Sequence, residues 1–293
     1  MFLRYNLKVS VPLFLLICFF TNCSSSETGK TLISNADAGT SPQSTTCDDD
    51  FSLATTETDI SAGLQDHTEP SGALWHTGRD SLFVVDGQGY LLEMESDGTP
   101  LNEWNPGNDL EGITVADTDS KFVYLGVERL SSNSHSAIIE YNIATGTTKR
   151  TFDLSTWLHP TIANQGLEAL TFVPNDSSLE GGYFYAALQE TGVVYVFELP
   201  LLSSSTTTTV TLITSFTPAP GWSDLSDMFY DETDDIIYAI YDGKDRMISM
   251  KKDGEVLASW SLPAEGQEGI ALNRDDCQWF LADDETGDLW QYK

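Results

Sequence analysis

From about residue 51 onward the chain alternates short runs of β-branched and aromatic residues with clusters of Asp, Gly, Asn and Thr. Ser81–Asp86, Phe122–Val127, Tyr183–Leu188, Ile236–Tyr241 and Trp279–Ala282 are runs of this kind, and no helix-period segment of useful length separates them. The pattern predicts an all-β chain.

A recurring phrase organises the runs. It reads Glu69-Pro70-Ser71-Gly72-Ala73, Asp109-Leu110-Glu111-Gly112-Ile113, Gly166-Leu167-Glu168-Ala169-Leu170, Asp224-Leu225-Ser226-Asp227-Met228 and Gly266-Gln267-Glu268-Gly269-Ile270. Its third positions, Ser71, Glu111, Glu168, Ser226 and Glu268, are spaced by 40, 57, 58 and 42 residues. Units of this size with four strands each are β-propeller blades. Two units agree further: Asp86, Met94, Asp97-Gly98, Leu101 and Trp104 recur 156 residues later as Asp242, Met250, Asp253-Gly254, Leu257 and Trp260. Asp-Gly between apolar runs predicts a type I′ hairpin joining the third and fourth strands.

The count of strands closes the ring. Only 25 residues follow Glu268, enough for three strands, and Phe51–Ile60 can supply the missing outer strand. The prediction is a five-bladed β-propeller, residues 48–293, whose last blade takes its outer strand from the N-terminal side. Innermost strands that run from the top face downward place Asn273–Cys277 in a turn at the bottom. The outer strand of the same blade begins there too, so Cys47 and Cys277 are brought together and a disulfide would staple the closure. Two unpaired thiols are the alternative.

The start of the chain reads as an address. Arg4 and Lys8 precede an apolar stretch, Val9–Phe20, too short to span a bilayer but suited to a secretory signal. Phe20-Thr21-Asn22-Cys23-Ser24 follows and resembles a bacterial lipoprotein signal, with Cys23 as the lipidated residue; a plain signal peptide is the alternative. Residues 1–22 are then the signal, and residues 23–47, rich in Ser and Thr, a tether. The expectation is a bacterial envelope protein held at a membrane by its lipid alone, with the outer membrane favoured by Ser24. An oxidising compartment suits the two remaining cysteines.

Charge narrows the partners. The 293 residues carry 45 acidic and 14 basic side chains, a formal net charge of −31. Nucleic acid and anionic lipid surfaces both require clustered Lys and Arg, so neither is an expected partner. The chain is expected to be a monomer that meets a ligand or an envelope protein.

Leu110-Glu111-Gly112-Ile113, Val127-Glu128-Arg129, Asp253-Gly254-Glu255-Val256-Leu257 and Gln267-Glu268-Gly269-Ile270-Ala271, in that order, resemble the SdiA-regulated, or YjiK-like, propeller family. The resemblance implies an envelope-associated five-bladed propeller with a calcium site. Leu201–Thr211 departs from a compact family pattern and reads as a surface loop within the third blade.

Chemistry is expected where the phrases meet. Each phrase opens an innermost strand, which places Ser71, Glu111, Glu168, Ser226 and Glu268 around the top of the central channel. The second strands run back to the same face and end in Asp86, Glu128, Gln189, Asp242 and Asp283. Carboxylates crowded at one mouth take up protons or recruit a cation, and a ring of hard oxygen donors favours Ca²⁺. Glu111, Glu168 and Glu268 are the first choices as ligands, with Glu128 a weaker one because Arg129 stands beside it. Alternatively these carboxylates satisfy backbone N–H groups and never meet.

Other acidic clusters carry less. Asp231–Asp235 falls at the bottom, and Asp48–Asp50 and Asp283–Asp288 read as solvated turns. His76 and His135 read as exposed loop residues, while His67 could reach the top face. No nucleophile elbow, zinc-protease motif or phosphate loop is present in the sequence. The leading expectation is therefore a lipid-anchored, Ca²⁺-binding module for a ligand or protein. A metal-dependent hydrolase of lactonase or phosphoesterase type is the alternative, and a metal-free scaffold a third.

Overall fold

The computed structural model describes Cys47, Asp50, Phe51, Ala54 and residues 56–293. The expected signal, most of the tether and the lipidation site Cys23 lie outside the described residues. The described part is a five-bladed β-propeller of twenty strands in five antiparallel four-stranded sheets. A short strand, β1 (Glu57–Asp59), precedes the first full blade, which comprises β2 (Pro70–His76), β3 (Ser81–Asp86), β4 (Tyr90–Met94) and β5 (Pro100–Trp104). Blade two follows as β6 (Asp109–Thr114), β7 (Phe122–Arg129), β8 (Ala137–Asn142) and β9 (Thr147–Asp153). Blade three contains β10 (Leu167–Pro174), β11 (Gly182–Leu188), β12 (Val193–Glu198) and β13 (Thr211–Phe216). Blade four contains β14 (Leu225–Asp231), β15 (Ile236–Tyr241), β16 (Arg246–Met250) and β17 (Val256–Ser261). The last blade has β18 (Gln267–Asn273), β19 (Gln278–Asp283) and β20 (Asp288–Tyr292), and β1 completes it by pairing Glu57 with Tyr292 and Asp59 with Trp290.

Why the middle strands read as unbroken apolar runs is clear from their packing. Successive side chains of a strand point to opposite faces, and here both faces are buried against neighbouring blades. Phe83 and Val85 of β3 enter the cluster shared with blade two, while Leu82 and Val84 enter the one shared with blade five. In β15, Ile237, Ala239 and Tyr241 face blade three, and Tyr238 and Ile240 face blade five. The core is thus a set of wedges between blades. Outer strands such as β5 are largely exposed.

Side chains lock the innermost strands to one another. Thr114 Oγ1 accepts the Phe172 N–H at 3.0 Å, and Thr171 Oγ1 accepts that of Tyr230 at 3.0 Å. Asp227 does more: one carboxylate oxygen accepts the N–H groups of Ile270 (2.9 Å) and Ala73 (3.3 Å), joining blades four, five and one.

Cys47 and Cys277 form a disulfide with Cα atoms 5.2 Å apart, linking the start of the propeller to the β18–β19 turn on the bottom face. The hairpins expected as type I′ take another form. Gly98 N–H bonds to the Glu95 carbonyl and Gly254 N–H to that of Lys251, with positive φ at the glycines but not at Asp97 or Asp253. Type I′ needs positive φ at both central residues; here the glycine follows the turn instead. The connection between β12 and β13 folds onto the buried Arg150, whose Nη1 donates to the carbonyls of Pro200 (2.7 Å), Ser204 (2.8 Å) and Thr207 (3.2 Å).

Replacing Asp227 by Ala leaves two backbone donors on separate blades without a partner, at a cost of about 2–4 kcal/mol. Urea unfolding of D227A against the parent measures this, and a change below about 0.5 kcal/mol would contradict the bridging role.

Candidate metal centre at the channel mouth

Each inner strand is irregular at one place, its opening phrase. The register slips between Pro70 and Ala73, Leu110 and Gly112, Leu167 and Leu170, Leu225 and Asp227, and Gln267 and Gly269. The third phrase residue lies within the slip in every blade. A β-bulge leaves such a residue outside the ladder and re-aims its side chain.

Close approach of the strands concentrates these residues. A Cβ on Gly72 would lie 2.3 Å from the Glu111 carbonyl oxygen, and one on Gly269 would lie 2.4 Å from that of Ser71. Only glycine permits such spacing. As a result Glu111, Glu168 and Glu268, from three blades, have carboxylate oxygens within 4.8 Å of one another. Glu111 also belongs to a second group within the same distance, with Asp109 and Glu128.

These side chains open onto a cavity of about 330 Å³, also lined by Glu69, Ser71, Arg129, Asn164, Gln189 and Asp284. A larger cavity of about 520 Å³ occupies the far end of the channel, among Trp75, Phe172, Met228 and Tyr230. There Arg274 already pairs with Asp231 and Asp234, so the chemistry concentrates at the mouth.

Burial and crowding work against charge. Glu168 is held well above the usual glutamate range, first by burial and then by Glu111 and Glu268. Glu111 is raised likewise, by burial and then by Asp109 and Glu268. Glu268 is pushed up to about 9 by burial, with Asp284 and Asp242 adding to it. Glu128 is raised by burial, although it accepts the Gly166 N–H at 2.8 Å and lies 3.2 Å from Arg129. Arg129 also holds Asp109 at 2.5 Å. Two buried acceptors have no partner in this arrangement, Glu168 Oε2 and Gln189 Oε1. A donor set made entirely of oxygen, with orphaned acceptors among crowded carboxylates, fits Ca²⁺.

The residues expected from the second strands divide. Glu128 and Gln189 line the mouth. Asp86 does not: it is buried and accepts the N–H groups of Glu69 (3.1 Å) and Gln88 (2.7 Å). Asp283 is buried and accepts the Thr286 N–H at 2.9 Å, so it is not part of a solvated turn. Asp242 opens a short 3₁₀ turn and is pushed up to about 6 by burial and Asp224, outside the cavity lining.

Sequence reasoning missed Asp109 and Glu69, which occupy the first phrase position, and Asp284. The acidic first positions were a usable signal, but the register slip beside Asp109 leaves no trace in alternation. Two histidines also differ from expectation. His76 ends β2 fully buried, with both ring nitrogens unpartnered. His67 lies against Tyr90 and 3.5 Å from Glu103, away from the cavity lining. His135 lies in the loop before β8, as expected, with its side chain partly exposed, and meets Asp153 at 2.8 Å.

Fold and mouth together define a β-propeller with a carboxylate-rich channel entrance. The chain belongs to the phytase-like family, whose model, described as esterase-like activity of phytase, matches residues 27–240. No curated protein matches it. Among solved structures it is similar to glutaminyl cyclase of Myxococcus xanthus, at 13% identity and a TM-score of 0.57, covering 82% of this chain and 94% of that one. A streptogramin B lyase gives 10% identity and a TM-score of 0.43, over 78% of this chain and 66% of that one. The β-propeller domain of Myceliophteria thermophila Cps50 (Swd1) gives 10% and 0.44, over 80% and 99%. At such identity these likenesses concern the fold alone.

The raised carboxyls set a pH dependence. Between the ordinary glutamate value of 4.5 and about 9, the folded chelated protein holds a proton on Glu268 that the unfolded chain has lost. Stability therefore falls as pH rises through that window, by about 1.4 kcal/mol per pH unit for one such proton. Thermal melts in chelator from pH 5 to 9 are expected to show this slope and melts in excess Ca²⁺ to lose it; a flat chelated profile would contradict the crowding.

Proposed function

We propose that this chain is a lipid-anchored bacterial envelope propeller of the SdiA-regulated, YjiK-like type, whose mouth holds Ca²⁺ and captures a small ligand. The observation that carries the reading is the meeting of Glu111, Glu168 and Glu268 around a buried carboxylate oxygen without a partner. These three side chains would hold the ion, with Glu128 and Gln189 at its flank. The anchor at Cys23 and the outer-membrane location rest on the sequence pattern of the first residues. The disulfide to Cys277 supports an oxidising compartment.

Hydrolysis of an ester is the second reading, favoured by the family match. A bound ion would supply Lewis acidity to an ester oxygen. Asp109 or Glu128, grouped beside Glu111, would take the proton of an attacking water. The open cavity leaves room for that water and a small substrate.

Calcium at one hundred times Kd is expected to stabilise the protein by about 2.7 kcal/mol. Thermal unfolding with Ca²⁺ and with chelator tests this, and E168Q is expected to abolish the shift. Lactones, carboxylic esters and phosphoesters can then be screened in parallel. Turnover lost in chelator and in E168Q would select hydrolysis, and Ca²⁺-dependent binding without turnover would select the module. An unshifted melt together with no bound metal on elemental analysis would contradict the proposed site.

A further inference from the structure

The channel has a second end. The cavity of about 520 Å³ at the bottom shares no lining residue with the carboxylate mouth. Every inner strand gives it an apolar side chain: Trp75 from β2, Ile113 from β6, Phe172 from β10, Met228 from β14 and Leu272 from β18. A concave space of this size with mostly apolar walls suits a small molecule.

The rim of that cavity carries an excess of one charge. Asp117, Glu232 and Asp275 are exposed there and form no ion pair among the described residues. Arg274 is the one cationic side chain of the lining, and it is already paired. Its Nε donates to Asp231 at 2.8 Å, and its Nη2 donates to both Asp231 and Asp234. Thr77, Thr118 and Thr233 add hydroxyls that donate or accept, and so favour neither charge.

An aromatic ring gains from burial against Trp75 and Phe172. A positive group attached to it would then meet carboxylates that have no cation, whereas a negative one would meet repulsion at the rim. We propose that the bottom end of the channel is a second ligand site, which takes a small aromatic molecule bearing an ammonium group. The ring enters between the inner strands, and the ammonium stays level with Asp117, Glu232 and Asp275. This site goes beyond the reading of the mouth and requires neither Ca²⁺ nor turnover.

Benzyltrimethylammonium, benzyl alcohol and benzoate share a ring and differ in charge, while tetramethylammonium keeps the charge without the ring. Each is titrated calorimetrically into the full chain in saturating Ca²⁺. In 20 mM salt benzyltrimethylammonium is expected to bind at least tenfold more tightly than benzoate or tetramethylammonium. The gap to benzoate is expected to narrow in 300 mM salt, as screening shortens the reach of charge. D117N/E232Q/D275N, which alters exposed side chains alone, is expected to weaken the aromatic cation at least threefold, and E69Q/D284N at the mouth to leave it unchanged. Equal binding of the ringed probes, or binding of none, would overturn the proposal. So would tetramethylammonium binding as tightly as its ringed counterpart, which would mean attraction to the acidic surface alone. Affinity lost in E69Q/D284N but kept in the rim variant would assign the ligand to the mouth and equally overturn it.

Discussion

The structure depends on how closely five innermost strands approach one another at the top of the channel. Gly72 and Gly269 allow backbone contacts that no side chain would tolerate, and the bulge in each phrase turns its third residue out of the ladder. Close approach forces Glu111, Glu168 and Glu268 together, and burial then removes the water that would screen them. Three like charges in a dry space are unfavourable, so the site must hold protons or a cation. The chemistry of the mouth is a consequence of the packing of the ring.

Two devices hold that packing against the repulsion. Threonines and Asp227 bind the inner strands of successive blades through side chain to backbone hydrogen bonds. At the other end, β1 completes the last blade and the Cys47–Cys277 disulfide ties the same blade at its base. Stabilising contacts therefore lie at the bottom and between the blades, while crowded carboxylates and the unpartnered Glu168 Oε2 lie at the top.

Much of this was legible in the sequence because propellers repeat. The phrase positions, the strand runs and the shortage of one strand after Glu268 together predict five blades and the closing strand that β1 provides. Repetition also placed the three glutamates on one face. What alternation could not convey is the local turn of the backbone. Asp109 and Glu69 line the mouth beside the third-position residues, and local N–H donors draw Asp86 and Asp283 away from it. His76 misled for a related reason: Thr77 and Gly78 after it look like a loop, yet the residue is the last of a strand buried on both faces.

The most direct test of the account is a crystal structure of the propeller grown in Ca²⁺, with anomalous differences recorded at long wavelength. The account predicts an ion among the carboxylates of Glu111, Glu168 and Glu268, at about 2.3–2.6 Å from its oxygen ligands. The same carboxylates joined only by shared protons, with no anomalous peak at saturating Ca²⁺, would contradict it.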